Sequence, residues 1–410
     1  MSKKRVLIIG LVWPEPASSA AGTRIVQLTT LFIAQGYEVL FASAAVKGEF
    51  SFDLKATGVI EKDIKLNDSS FNTFLKETNP QIVIYDRFMT EEQYGWRVQQ
   101  ECPGALKILD TEDLHFLRSA RQQAVKSGTP LALFTELAKR EIAAILRCDL
   151  SLIISAIEMD ILQKQFHINA ALLYYLPFLE EELTAEKIQH WKSFGQREGL
   201  VFIGNFLHEP NWHTLQVLKT KIWPVLRKKL PDAVLHIYGA YASSKVMQLH
   251  NPKERFEVHG RAAAARQAIE KHKVLIAPIQ FGAGVKGKFI DAMQTGTPCI
   301  TTTTGAEAMK GDLDWNGVIE DDFEQFIQKA AILYQDENSW LTAQHNGISI
   351  INERYGKSKF SAAFIQTITA LDLKAHRQNN FFGQILQYHT ANSTKYMSLW
   401  IEEKNKNKED

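Results

Sequence analysis

The sequence has no apolar run long enough to cross a bilayer and no excess of either charge. Lys and Arg total 47 against 46 Asp and Glu, a formal net charge of +1. Nothing global therefore calls for nucleic acid or an acidic surface as partner, and no nucleic-acid partner is expected. Cysteine is scarce. Cys102, Cys148 and Cys299 are scattered, with neither the close spacing of a zinc or redox motif nor the even count of a disulfide framework. A reduced, cytoplasmic setting is the expectation. Val6-Leu-Ile-Ile-Gly10 is too short for a signal core, and Trp13-Pro14-Glu15-Pro16 follows it at once. Peripheral contact with a membrane stays open.

Three chemical signatures are also missing. The first predicted strand runs into Gly10-Leu-Val-Trp-Pro14, which cannot make the G-x-G-x-x-G turn of a dinucleotide site. No H-E-x-x-H or H-x-x-E-H spacing and no Asp-x-Asp of the single-domain transferase type occurs, so no metal site is expected. No solenoid repeat is present.

What remains is a regular alternation. Short apolar runs such as Val6 to Ile9 and Tyr37 to Ala42 read as buried strands, separated by amphipathic stretches such as Thr23 to Gln35. The pattern continues through Gln81 to Tyr85, Lys107 to Leu109, Leu150 to Ile154 and Ala171 to Leu176. After a polar, charged stretch at Glu180 to Glu198 it restarts, with Leu200 to Ile203, Val234 to Tyr238, Phe256 to Val258, Lys273 to Ala277 and Pro298 to Ile300. Two α/β domains with parallel sheets covered on both faces follow from this. The expected limits are 1–182 and 183–375, with 376–410 a helical extension ending in a solvated tail from Lys404. Phe381, Ile385, Tyr388, Met397 and Trp400 are expected to bring that extension back onto the first domain.

The segment with the most chemistry is Ala277-Pro-Ile-Gln-Phe-Gly282-Ala-Gly284-Val-Lys286-Gly287-Lys288-Phe289-Ile-Asp291. A strand ends, glycines and lysines form the loop, and a helix begins. Glycines let backbone N–H groups approach a phosphate, and the helix N-terminus favours an anion. Lys286 and Lys288 are placed to neutralise a departing diphosphate. Asp291, about one turn into the helix, is placed to accept from a ribose. The loop also nearly matches a P-loop, but Phe289 stands where a hydroxyl must hold Mg²⁺. Gly22 and Arg24 open the first long helix, whose N-terminus could meet the diphosphate or an anionic acceptor. Trp13 is either a stacking platform for an acceptor sugar or a lid on the first strand-helix unit.

These residues resemble retaining-type GT-B glycosyltransferases of the "group 1" (family 4-like) class. The resemblance rests on Phe281 to Lys288, Asp291-Ala-Met293, Gly296-x-Pro298 and Gly305-Ala-Glu307. Val201 to Asn205 resembles that family's glycine loop, and Val258-His-Gly260-Arg261 its base-receiving turn. Leu109 to Arg118 resembles its His/Asp motif, followed in order by Arg140-Glu141, Cys148-Asp149 and Ser155-x-x-Glu158. The match covers most of residues 1–375 and is most specific from Leu200 to Lys310. It departs where Ala283 replaces the first of two glutamates, Asp291 replaces the second, and His208 to Asn211 replaces a basic residue.

The resemblance implies two Rossmann-like domains facing across a cleft. A nucleotide-diphosphate sugar would be co-substrate on Gly204, Asn205, His259, Arg261, Gly282, Gly284, Lys286, Lys288, Asp291 and Glu307, with no cofactor or required metal. It implies hexosyl transfer to a carbohydrate or glycolipid acceptor in polysaccharide biosynthesis. His115 would bond the donor sugar or position the acceptor, and Asp113 would be general base if the reaction inverts. Otherwise both are loop and cap residues. Trp13, Gly22 and Arg24 would lie on the acceptor or phosphate side. The loss at Ala283 keeps open a non-catalytic glycan- or nucleotide-sugar-binding protein that partners an active transferase. A nucleotide-sugar epimerase and an NTPase rank below it.

Overall fold

The computed structural model describes residues 4–406, and for 389–391 the backbone alone. Seven parallel strands make the first sheet: β1 (Arg5–Gly10), β2 (Glu38–Ser43), β3 (Ile60–Asp63), β4 (Ile82–Asp86), β5 (Leu106–Asp110), β6 (Leu150–Ile153) and β7 (Leu173–Tyr175). Their order is β3-β2-β1-β4-β5-β6-β7. The second sheet has β8 (Leu200–Ile203), β9 (Leu235–Tyr238), β10 (Phe256–Gly260), β11 (Val274–Ala277), β12 (Cys299–Thr301) and β13 (Gly317–Ile319), in the order β10-β9-β8-β11-β12-β13. Both orders start from a central first strand and wind outward to each side, the doubly wound Rossmann arrangement. Sites in such sheets gather at the carboxyl ends of the strands, near the point where the winding reverses.

Composition explains the strands. β1, β4 and β5 are almost wholly buried because helices cover both faces, so they read as continuous apolar runs. β3 lies at an edge, is mostly exposed and is charged at every position after Ile60, as Glu61-Lys62-Asp63. That polar edge strand gave no apolar signal in the sequence. Two apolar clusters cover the faces of the first sheet, one centred on Leu7, Val83 and Leu109 and the other on Val6, Ile8 and Ile84. One larger cluster fills the second domain, around Val201, Ile237, Leu275 and Phe289.

The chain crosses between domains twice, and the crossings lie side by side. Glu180 N–H donates to Tyr355 O at 2.8 Å and Lys357 N–H to Glu180 O at 2.7 Å. The return to the first domain therefore begins at Gly356, earlier than the expected limit of 375. Helix Lys357–Ala370 buries Phe364 and Ile368 in the same cluster as Val6 and Ile8. Arg377 then fixes the following helix, bonding both oxygens of Asp149 at 2.7 and 2.8 Å and the Ala105 carbonyl at 2.7 Å. The final helix, Phe381–Lys406, lies against the first domain, with Ser398 Oγ 2.6 Å from Asn67 Oδ1 and Glu402 accepting from Ser69 N–H. It continues through Lys404 to Lys406; the rest of the expected tail, 407–410, lies outside the described residues. Phe381, Tyr388, Met397 and Trp400 stay largely exposed, so the contact with the first domain is made mainly by the polar side chains of this helix.

Phe364→Ala should lower the resistance of the first domain to urea by about 3–5 kcal/mol, the cost of emptying a buried aromatic site. Phe382→Ala, at a side chain 72% exposed, should change it by less than about 0.5 kcal/mol. Equal effects in urea titrations followed by circular dichroism would contradict the packing described.

Candidate active site

A cavity of about 480 Å³ opens between the two sheets. From the first domain come the N-terminal turn of helix Ala20–Ala34 and the residues that follow β4 and β5, namely Arg87, Glu112, Asp113, His115 and Arg118. From the second come Gly204, Asn205, His208 and Asn211 after β8, and Ala283, Val285, Lys286, Gly287, Lys288, Ile290 and Asp291 after β11. Strand ends thus meet strand ends across the cleft.

Helix Gly287–Gln294 points its N-terminus into this space, with Lys286 as the residue before its first turn. Lys286 Nζ donates to Gly284 O at 3.0 Å, and Lys288 Nζ donates to Asn211 Oδ1 at 2.7 Å. Among the described residues neither ammonium is in an ion pair. Burial lowers Lys286 to about 8, despite the opposing charge of Glu307. Burial and the neighbouring Lys286 lower Lys288 to about 7. Two partly buried ammonium groups without a carboxylate partner, at a helix N-terminus, make a site ready for a multivalent anion.

Glu158 holds the loop in place. Its Oε1 accepts from Leu114 N–H at 3.0 Å and from Gly284 N–H at 2.8 Å, which joins the domains at the cleft floor. Gly284 has φ +62, and a Cβ there would stand 2.8 Å from Asp113 Cβ, so only glycine fits. Glu141 accepts from His115 N–H and Phe116 N–H at 3.1 and 3.0 Å, completing the start of helix His115–Ser127. Burial raises Glu158 to about 7, with Asp113 adding to the effect, and raises Glu141 to about 8. Arg121 on the same helix makes a bidentate pair with Glu307 at 2.6 and 2.7 Å, and also donates to Gly282 O.

His115 sits between Asp113, 3.5 Å from its Nε2, and the ring of Phe88. Burial lowers its imidazole to about 4 against the pull of Asp113, so it is neutral near pH 7. Asp113 also pairs with Arg118. Burial alone would raise the Asp113 carboxyl, but Arg118 and His115 outweigh it and hold it below its ordinary value. That makes Asp113 a weak proton acceptor. Asp291 lines the cavity and accepts from Arg266 Nε at 2.8 Å, while Arg266 also bonds Glu180 at the crossing. Asn205 lines the cavity, its Oδ1 accepting from Leu207 N–H, and Gly204 packs against the Asn211 amide.

Several expected residues lie elsewhere. Arg24 is 1% exposed, with Nε on both oxygens of Asp110 at 2.8 and 2.9 Å and Nη1 on Leu176 O. It neutralises a buried carboxylate rather than a ligand. Trp13 is buried against Phe41, with its indole N–H on Ala45 O, so it is the lid and not a platform. Gly22 packs under the turn before it, where a Cβ would meet Glu15 backbone at 2.4 Å; Ala20, Ala21 and Thr23 face the cavity instead. Glu307 faces Arg121. The Arg261 guanidinium stacks on Phe50 at 3.4 Å, and His259 joins a row of rings on the outer part of the second sheet. The cavity boundary there is Ala262.

The sequence reading gave Glu112 and Arg118 no role of their own within the Leu109 to Arg118 stretch, and weighed Arg87, at a strand end, equally between a site residue and an ion pair with Asp86. Arg87 and Glu112 follow β4 and β5 with φ +70 and +63, a backbone state uncommon outside glycine. Burial, then Asp110 and Asp86, push the Glu112 carboxyl well up. Their place at strand ends was a legible signal; the strained backbone was not.

Residues 197–336 match the family model described as "Glycosyl transferases group 1". No curated protein sequence matches at a significant level. The chain is similar in structure to sucrose-phosphate synthase from Thermosynechococcus elongatus (14% identity, TM-score 0.64, covering 90% of this chain and 98% of that one). It is similar to the pneumococcal O-GlcNAc transferase GtfA in complex with UDP and GlcNAc (13%, 0.66, 90% and 99%). It is also similar to HepE of Anabaena in complex with UDP and glucose (14%, 0.61, 89% and 99%). The fold is GT-B, two Rossmann-like domains with C-terminal helices, and the group 1 glycosyltransferase match lies in the second domain.

Arg24→Ala should destabilise the first domain by about 3–5 kcal/mol, because Asp110 is left buried and unpaired. Anion affinity of whatever protein remains folded should stay within about twofold of wild type. A large affinity loss in a stable variant, measured by calorimetry, would restore Arg24 to the ligand site.

Proposed function

We propose that this chain is a glycosyltransferase that takes a nucleotide-diphosphate sugar in the interdomain cleft. It passes the sugar to a carbohydrate or glycolipid acceptor, with retention and without a required metal. The observation that carries the reading is the pair Lys286 and Lys288, free of carboxylate partners at the N-terminus of helix Gly287–Gln294. The leaving diphosphate gains charge as the glycosidic bond to it breaks, and fixed cations in a water-poor cleft stabilise that change more than the ground state. Asp291 faces the ribose in this arrangement. His115, neutral, meets a sugar hydroxyl, and Asp113 orients His115 rather than acting as base. The weak basicity of Asp113 favours retention over inversion.

The group 1 match, and neighbours whose structures hold UDP with glucose or GlcNAc, support a sugar-nucleotide donor. Catalysis by lysines and a helix dipole needs no divalent ion, so activity should survive chelation. Three unpaired, buried cysteines accord with a cytoplasmic setting, and among the described residues no helix is long and apolar enough to cross a membrane. The second reading, a binding protein without turnover, rests on Ala283 at the cavity wall.

The test is titration of UDP, GDP, ADP and their sugars into wild type and the double variant Lys286→Ala/Lys288→Ala. One nucleotide should bind, with a loss of at least ~10-fold in the variant and hydrolysis or transfer of its sugar when acceptors are supplied. No binding to folded wild type would reject the donor site. Binding without turnover across a broad acceptor panel would select the second reading.

The lysine values set a pH dependence. Bound diphosphate raises both lysines above their free values of about 7 and about 8. Their contribution is complete below about 7 and declines as pH rises past the free values. Affinity should therefore fall from neutral to alkaline pH, with proton uptake on binding near neutrality. Calorimetry in buffers of different ionisation heat reads the uptake directly; proton release would contradict it.

A further inference from the structure

The outer edge of the second sheet carries a cluster that the cleft does not use. His236 on β9 and Glu257 on β10 are cross-strand partners in parallel register. The register then slips between Val258 and Gly260, leaving His259 unpaired in the ladder. Such a bulge re-aims the side chain it carries. Here it brings His259 Nε2 to 2.9 Å from His236 Nδ1. Glu257 Oε2 lies 3.8 Å from His236 Nδ1 and 3.7 Å from His259 Nε2. None of the three lines the cleft cavity.

We propose that His236, Glu257 and His259 form a binding site for a borderline divalent transition ion such as Zn²⁺, with the fourth position open to water. Ligands about 2.0–2.2 Å from a tetrahedral zinc lie roughly 3.3–3.5 Å from one another. The three observed separations bracket that range, so shifts of a few tenths of an ångström would seat an ion. Two imidazoles and one carboxylate are a ligand set that zinc accepts, whereas Mg²⁺ and Ca²⁺ call for oxygen donors.

The surroundings orient the ligands. His272, 5% exposed, stacks on the His236 ring at 4.4 Å and donates through Nδ1 to Glu198 O. Gly199, at φ +63, leaves room for His236; a Cβ there would stand 3.1 Å from its Nε2. Tyr238 stacks on His259 at 4.7 Å. The ion would pin edge strand β10 to β9. Sequence spacing could not show the site, because strand register brings His236 to residues more than twenty positions away.

The experiment is titration of Zn²⁺ and Co²⁺ into the full chain and into His236→Gln, Glu257→Gln, His259→Gln and the triple variant. Calorimetry, the visible spectrum of bound Co²⁺ and thermal unfolding are the readouts. Wild type should bind one equivalent of Zn²⁺, unfold at higher temperature with it, and give a Co²⁺ spectrum of low coordination number. Each single variant should bind at least ~10-fold more weakly, the smallest effect expected even for an outer-sphere partner, while unfolding normally without metal. Glu257→Gln, at a half-exposed surface position, keeps the test readable if a histidine variant fails to fold. Excess Mg²⁺ should not compete. No saturable binding to wild type, or a stoichiometric site that persists in the triple variant, would overturn the proposal.

Discussion

One buried carboxylate decides how the two halves of the cleft meet. Glu158 Oε1 takes an N–H from Leu114, at the start of a first-domain helix, and another from Gly284, in the second-domain loop. Without it two buried N–H groups would lack partners, at about 1–3 kcal/mol each. The Gly284 contact fixes where the loop ends, and therefore where helix Gly287–Gln294 aims its N-terminus. Arg121 strengthens the same seam from about two turns further along, through Glu307 and Gly282 O. The position of Lys286 and Lys288 relative to His115 follows from these bonds.

Charge placement shows a division of labour. Carboxylates at the base of the cleft are already engaged: Asp110 by Arg24, Asp113 by Arg118, Asp291 by Arg266, Glu307 by Arg121. The two lysines bond only neutral oxygens. A cleft whose acids are paired with arginines or, at Glu112, pushed towards the neutral form by burial, and whose lysines have no carboxylate partner, selects an anionic ligand. The same logic explains why Arg24, a basic residue at a helix start, is no part of the site. Its guanidinium is buried and already bonds Asp110 and the Leu176 carbonyl.

Much of this was legible in the sequence, for identifiable reasons. The buried parallel strands declared themselves as apolar runs, and the loop Gly282 to Lys288 as glycines and lysines between a strand and a helix. Local signals fix local structure. Trp13, Gly22 and Arg24 were misplaced because their partners, Ala45, Glu15 and Asp110, are set by tertiary packing. Glu112 and Arg87 depend on backbone angles that no spacing encodes. The His236, Glu257 and His259 cluster depends on strand register and a bulge. The early return at Gly356 escaped notice because helix Lys357–Ala370 has the same composition whichever domain it covers.

The central claim is that Lys286 and Lys288 face a diphosphate. A crystal structure of the chain with a nucleoside diphosphate bound tests this most directly. The account predicts both phosphates within hydrogen-bond distance of the two Nζ atoms and of backbone N–H groups at the start of helix Gly287–Gln294, with the ribose at Asp291. A nucleotide bound elsewhere, with both lysines still on Gly284 O and Asn211, would contradict it.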